Sequence, residues 1–287
     1  MVIAIRPIRE IPFFKEYVKA KPINEGYSDD IKYIVWLHDK KYLLRLSNKD
    51  DLEKKKCEYK ILKSYKKLNI PKVYACGEVD EYSYIIYDYI EGENANVGIK
   101  KLTQDKQYEM GVLAGKMLRE FHKEASCEKI DYKHRFEEKL ALIKNIEVPC
   151  LDRMCKLFCD FIDLDDSNPV YCHGDYHCSN MIVNKDLLYA IDFNRFKIAS
   201  PYSDFRRLFT FSRTVSVPFC RGQLDGYFGR RLEENDFKKM LPYLIYDLVS
   251  MMYWSADNKQ LVELYKVVLD DFNNFTTIIP NWYYFHS

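Results

Sequence analysis

Val170-Tyr171-Cys172-His173-Gly174-Asp175-Tyr176-His177-Cys178-Ser179-Asn180 runs into Met181-Ile182-Val183 and, past Asn184-Lys185-Asp186, into Leu187-Leu188-Tyr189-Ala190-Ile191-Asp192. Two short apolar runs on either side of a turn-forming cluster predict an antiparallel hairpin. With Val183 facing Tyr189 and Met181 facing Ile191, Asn180 stands across from Asp192 at the open end. An amide oxygen and a carboxylate suit a hard cation such as Mg²⁺, which keeps waters and substrate phosphates in its remaining positions. Asp175 lies on the connecting loop before Asn180, placed to take a proton from a hydroxyl aligned on the same phosphate. The residues alone also allow a plainer reading, a polar loop and hairpin whose side chains only cap turns.

Upstream, the first ninety residues read as strand-rich. Ile31-Lys32-Tyr33-Ile34-Val35-Trp36-Leu37 and Lys41-Tyr42-Leu43-Leu44-Arg45-Leu46 are β-prone runs separated by His38-Asp39-Lys40, and Lys72 to Ala75 with Tyr82 to Tyr87 add two more. Between the two pairs a helix is expected, capped by Ser47, Asn48 or Asp50, with Ile61, Leu62, Tyr65 and Leu68 as its stripe and Asn69 and Pro71 as its end. Beyond Glu91-Gly92 the pattern turns helical, with Leu113, Met117, Leu118 and Phe121 on one face of a helix beginning near Thr103. The division is therefore a sheet-bearing region, 1–90, and a helical region, 91–287, joined across 90–96.

His-Gly-Asp-x-x-x-x-Asn followed by Ile-Asp-Phe resembles the catalytic and metal-binding motifs of the aminoglycoside phosphotransferase family. The resemblance implies an α+β, two-lobed protein-kinase-like fold, with a small antiparallel-sheet N-lobe that binds nucleotide and a larger, mainly helical C-lobe that holds the catalytic and acceptor sites. It implies Asp175 as catalytic base, Asn180 and Asp192 as Mg²⁺ ligands, and His173 and Asp204 as structural braces of the loop. The strand Lys41 to Ser47 resembles the one that carries the phosphate-binding cation, here Arg45. Glu58 lies on the apolar helix face by its spacing from Ile61, Leu62 and Tyr65, and the resemblance pairs it with Arg45; the alternative is a Glu at the stripe's edge facing water. Tyr87-Asp88-Tyr89-Ile90-Glu91-Gly92 resembles the family's hinge, with the Asp88 carbonyl and Ile90 amide toward the base and Tyr87 as gatekeeper. Its bulk leaves GTP open beside ATP. Ser28 is a weak candidate for phosphate contact in a segment with a single glycine.

The activity implied is transfer of a γ-phosphoryl group to a small-molecule hydroxyl, of an aminoglycoside antibiotic first. Choline-, methylthioribose- or homoserine-type alcohols are the alternative, and a pseudokinase that binds nucleotide without turnover is a second. A polycationic acceptor needs carboxylates, and Asp160, Asp163, Asp165, Asp166, Asp247, Asp257 and Glu263 are available. The aromatic end, Ile279 to Phe285, is expected to pack on the core. His173-x-Asp175-x-His177 also reads as the start of a zinc site, but no second ligand cluster accompanies it. Lys plus Arg number 44 against 43 Asp plus Glu, so no global field favours nucleic acid or an anionic membrane. With neither a leader nor a membrane-length apolar run, and with nine scattered cysteines lacking any Cys-x-x-Cys pair, the chain is expected to be cytoplasmic with reduced thiols. Nothing in the pattern indicates an oligomeric state.

Overall fold

A computed structural model describes residues 5–24, 30–126, 130–255 and 258–284; Ser28 and Asp257 lie outside them. The chain divides into two compact units, Met1–Gly92 and Glu93–Ser287.

The first unit is built on a five-stranded antiparallel sheet of order β1-β2-β3-β5-β4, from β1 (Lys19–Ile23), β2 (Ile31–Leu37), β3 (Lys40–Asn48), β4 (Val73–Val79) and β5 (Tyr82–Asp88). Helix α1 (Ile5–Glu10) precedes the sheet and α2 (Leu52–Ser64) follows β3. Leu37 pairs with Lys40, so the first turn is only His38-Asp39, with His38 at φ 51°. Lys40, expected in the turn, starts β3 instead, because a two-residue turn of left-handed backbone matches the twist of its strands. Central strand β3 is buried on both faces: Tyr42, Leu44 and Leu46 join the core with Tyr33, Val35, Ile86 and Phe14, while Arg45 and Ser47 are buried on the other side. Asn48 caps the turn leading into α2 by accepting from the Asp50 amide at 3.1 Å. The helix stops at Ser64, short of the expected Asn69: the Ser64 hydroxyl bonds back to the Ile61 carbonyl at 2.7 Å and Tyr65 turns extended. Its inward stripe is Lys55, Glu58 and Leu62.

The second unit contains β6 (Glu93–Asn94), α3 (Ala95–Gly98), α4 (Gln104–Phe121), α5 (Tyr132–Ile143), α6 (Leu151–Phe161), β7 (Val170–Cys172), β8 (Met181–Asn184), β9 (Leu187–Ala190), β10 (Lys197–Ala199), α7 (Arg213–Val215), α8 (Val217–Phe228), α9 (Glu234–Trp254) and α10 (Lys259–Asp271). Two small antiparallel sheets, β6-β8-β9 and β10-β7, frame the loop between β7 and β8. Thr103 caps α4 as its sequence predicts, but Leu113 is 42% exposed rather than on the packed face. The face is set instead by Gly111 and Gly115, which meet Gly222 and Gly226 of α8: a Cβ on Gly115 would stand 2.1 Å from the Gln223 carbonyl oxygen. Such backbone-to-backbone contact is open only to glycine. Of the aromatic end, Trp282 and Tyr283 pack as expected, the Trp282 indole donating to Asp271 at 3.0 Å and the Tyr283 hydroxyl to Asp225 at 2.6 Å, while Tyr284 is half exposed and Phe285 lies outside the described residues. Among the described residues no helix is long and apolar enough to cross a membrane.

Candidate active site

β8 and β9 form a hairpin whose register differs from expectation by one residue. Met181 pairs with Ala190 and Asn184 with Leu187, leaving a two-residue turn in which Lys185 takes φ 55°. Asn180 therefore faces Ile191, whose amide donates to the Asn180 carbonyl at 2.9 Å, and not Asp192. The tighter turn wins because its left-handed backbone follows the strand twist. Asp192 follows immediately with φ 63° and ψ 65°, a left-handed conformation that costs a non-glycine residue about 1–2 kcal/mol and takes its side chain out of strand alternation.

The loop entering β8 is held from several directions. Gly174 has φ 81°, and a Cβ there would sit 2.0 Å from the Arg195 carbonyl oxygen, so the glycine is obligatory. Asp204, fully buried, accepts from the backbone amides of His173 and Gly174, each at 2.7 Å. Burial favours its neutral form, but hydrogen bonding and charge from His122, then from His173 and Arg206, bring its pKa down to about 2. His173 is also fully buried. Its Nε2 donates to the Ile191 carbonyl at 2.9 Å and its Nδ1 accepts from the Asp175 amide at 3.3 Å. Burial holds that imidazole neutral, the form this tautomer needs. With both nitrogens committed, His173 is not placed to ligate zinc as the His173-x-Asp175-x-His177 pattern requires.

Asp175 lies at the centre. The Asn180 amide nitrogen donates to its carbonyl at 2.9 Å and to its Oδ2 at 3.2 Å, which leaves the Asn180 amide oxygen turned away from Asp175. Arg207 Nε is 3.1 Å from Asp175 Oδ1, His177 Nε2 3.7 Å from the same oxygen, and Arg195 Nε 3.8 Å from Oδ2. Burial alone would raise the Asp175 carboxyl, yet the bond and charge of His177, followed by the charges of Arg207 and Arg195, carry it well below the usual carboxylate range. Asp175 is ionised at neutral pH.

Beyond Asp204, the segment that organises this loop carries no mark in the sequence. Arg206 donates to the Gly174 carbonyl and, at 3.2 Å, to Asp247 of α9. Leu208–Ser212 form a π-helical turn, through which the Phe211 ring packs 5.0 Å from that of His177 and the Ser212 hydroxyl accepts from the Cys178 amide at 3.1 Å. Residues 204–212 thus bind residues 173–178 nearly one by one. π-Turns recur at functional sites because the extra residue re-aims the side chains after it. The Tyr176 hydroxyl adds a bond to the Ala114 carbonyl of α4 at 2.8 Å.

In the first unit the expected ion pair is replaced. Among the described residues the carboxylate bonded to Arg45 is Asp30, which accepts from its Nε at 3.0 Å, from its Nη2, and from the Ser47 hydroxyl. Glu58 is buried on α2, as its spacing predicts, but accepts the Tyr87 hydroxyl at 2.6 Å. A strand hydroxyl and a nearby short carboxylate satisfy the two charged groups separately. Tyr87 thus turns its polar end onto α2. Asp88 ends β5, its amide bonded to the Lys72 carbonyl and its carboxylate accepting the Tyr74 hydroxyl at 2.6 Å; Ile90 follows, half-buried.

A model of a family described as the phosphotransferase enzyme family matches residues 19–243. The structure is similar to a streptomycin–ATP–APH(2")-IIa ternary complex, with a TM-score of 0.64 and 18% identity over 99% of this chain and 100% of that one. It is also similar to a choline/ethanolamine kinase family protein from Mesorhizobium loti, at TM-score 0.63, 12% identity, and 93% and 94% of the two chains. A third is an aminoglycoside phosphotransferase APH(4)-Ia variant in complex with AMP-PNP and hygromycin B, at TM-score 0.62, 12% identity, and 92% and 97%. At these identities the likeness shows the fold, the α+β kinase-like arrangement of an antiparallel-sheet N-terminal unit followed by a helical one. No curated protein sequence matches the chain.

Proposed function

This chain belongs to the phosphotransferase enzyme family, and we propose that it moves the γ-phosphoryl group of ATP onto a small-molecule hydroxyl oriented by Asp175. One observation carries the reading: residues 204–212 hold Asp175 ionised and fixed between Asn180, Arg207 and His177. A carboxylate held so acidic is a weak base toward a free alcohol. Its work is to align the hydroxyl and to accept the proton late, as the bond to phosphorus forms. Asn180 and Asp192 offer only oxygen donors, and the Asn180 amide nitrogen is already used by Asp175, so the pair fits a hard cation and we assign them to Mg²⁺. When bound, that ion neutralises charge on the nucleotide phosphates. Arg45 is the phosphate-facing cation in this reading, and Tyr87, Asp88 and Ile90 line the base. GTP is the second donor to test. Free thiols at Cys57, Cys159 and the other described cysteines favour a cytoplasmic setting.

For the acceptor, aminoglycosides follow from the family likeness. The carboxylates speak for a less cationic alcohol of the choline, methylthioribose or homoserine type. Asp160, Asp163 and Asp166 pair with Lys156, Lys133 and Lys239, Glu263 pairs with Lys266, the Tyr243 hydroxyl donates to Asp165, and Asp247 is shared by two arginines. Incubation with ATP or GTP and both acceptor groups, read as phosphorylated product by mass, tests donor and acceptor together. Asp175→Asn is expected to abolish transfer while leaving nucleotide affinity nearly intact, and Asp192→Asn to weaken metal-dependent nucleotide binding. Normal turnover in either variant sinks the assignment.

A further inference from the structure

Four charged side chains converge on the buried face of α2 and the middle of β3, and three of them have partners. Asp30 takes Arg45 and Ser47, and Glu58 takes Tyr87. The fourth, Lys55, one turn before Glu58, is 4% exposed and has no hydrogen-bond or ion-pair partner among the described residues. We propose that Lys55 is a phosphate-binding residue of the nucleotide site, acting beside Arg45 on the polyphosphate of the bound nucleotide. The inference rests on the kinase reading above and adds to it a cation that neither the motifs nor the family likeness assigns.

The physical case is one of unbalanced charge. The Lys55 side chain is buried as a whole, though its ammonium nitrogen is not among the fully enclosed unpartnered atoms, and a cation largely withdrawn from water beside another cation is costly. Burial is the main influence lowering the Lys55 pKa and the neighbouring Arg45 charge the next, while Asp30, Glu58 and Asp51 oppose them only in part. Asp30 is meanwhile held low, against burial, chiefly by Arg45, so its charge is spent on the guanidinium. A second cation kept beside Arg45, with no carboxylate bonded to it among the described residues, is a site that an anion completes. A nucleotide triphosphate brings several negative oxygens, more than one guanidinium already paired with Asp30 can neutralise. The competing role is a strut, with the Lys55 stem filling space under α2 and its charge incidental.

Lys55→Met separates these roles, because it keeps the stem and deletes the charge. Mg·ATP, adenosine and inorganic tripolyphosphate are titrated into wild type, Lys55→Met and Lys55→Arg by calorimetry, alongside thermal unfolding of the ligand-free proteins. The expected result is loss of Mg·ATP and tripolyphosphate affinity in Lys55→Met by on the order of 10-fold or more, unchanged adenosine affinity, recovery in Lys55→Arg, and an unliganded variant at least as stable as wild type. Equal Mg·ATP affinity in wild type and Lys55→Met overturns the inference and leaves the kinase reading standing. A parallel loss of adenosine affinity and stability makes Lys55 a strut and overturns it too. A wild type that binds neither Mg·ATP nor tripolyphosphate overturns the kinase reading itself.

Discussion

The guanidinium of Arg207 bridges Asp175 and Asp247, with Nε 3.1 Å from Asp175 Oδ1 and Nη1 3.2 Å from Asp247 Oδ2. The long helix α9 thereby reaches the loop that holds Asp175 through Arg207, itself stacked 5.1 Å from the Phe211 ring, as it does through Arg206. Planar Arg can serve two carboxylates at a fixed angle; Lys cannot. Arg207→Met is expected to free the Asp175 carboxylate to rotate, lowering kcat by about 10²-fold, the cost typical of misplacing a reacting group by an ångström. Nucleotide affinity should stay within about twofold, since binding and positioning are separate terms. Removing a cation beside Asp175 also raises its pKa, so the acid limb of the pH–rate profile moves upward. Steady-state kinetics across pH with an acceptor from the screen checks both, and an unmoved profile with full kcat refutes the role.

Asp204 makes a second, pH-linked prediction. Its pKa of about 2 in the folded protein lies below the unfolded value of about 3.9. Its contribution is therefore present above about pH 4 and is lost as pH falls toward 2, and its size is about 2–3 kcal/mol. Asp204→Asn removes that charge and sets an amide NH₂ against one of the two backbone donors, so the variant is less stable throughout. The gap between variant and wild type should be widest near neutrality and should narrow below pH 4. Urea unfolding at pH 7 and pH 3 measures it; a gap independent of pH counts against a depressed Asp204.

How much of this was legible depended on how far apart in the chain the partners lie. His173, Gly174, Asp175 and Asn180 fall within eight residues and can be read as a unit, because the bonds from the Asp175 amide to His173 and from the Asn180 amide to Asp175 close within the loop. The sequence does not locate Asp192 to within one register position, since the choice between a two- and a three-residue turn rests on the left-handed backbone of Lys185, which Lys does not advertise. Arg207 and Ser212 are invisible in the sequence, and Asp247 shows there only as one of several acceptor carboxylates rather than as the partner of two arginines: these contacts span 32 to 40 residues or more, and the charge pattern does not say which arginine turns inward. Glu58 could be put on a buried stripe by spacing alone, but its partner could not, because any hydroxyl or cation nearby satisfies a carboxylate. The same stripe carries Lys55 three residues earlier.

Tyr87 and Glu58 form a buried pair that tests the first unit by itself. Tyr87→Phe removes the hydroxyl that Glu58 accepts at 2.6 Å and leaves the carboxylate short of that donor. A buried acceptor deprived of its partner costs about 1–3 kcal/mol. The ring and its packing persist, so ATP affinity should change by less than about twofold if Tyr87 acts on the nucleotide only through its bulk. Tyr87→Leu shortens the side chain as well and should shift the relative affinities for ATP and GTP. Thermal unfolding together with nucleotide titration distinguishes the two effects, and an unchanged melting point in Tyr87→Phe argues against the bond.

The crossing of α4 and α8 rests on four glycines, two at a spacing of four on each helix, and it sets where Tyr176 meets α4. A Cβ on Gly115 would approach the Gln223 carbonyl oxygen to 2.1 Å, and one on Gly222 the Tyr108 carbonyl oxygen to 2.1 Å. Both obstacles are backbone, which cannot swing aside as a side chain can, so the helices must separate. Overpacking of this kind costs about 1–3 kcal/mol and occasionally more, and here the higher end is expected. Alanine is the better helix former by about 1 kcal/mol, so a stabilised Gly115→Ala protein would show that propensity outweighs the contact. The separation should be felt at the Tyr176 hydroxyl, bonded to the Ala114 carbonyl next in sequence. Hydrogen exchange should therefore quicken in α4, α8 and residues 175–178 together, while β2 and β3 keep their protection. Exchange confined to the helices would uncouple their packing from the loop that holds Asp175.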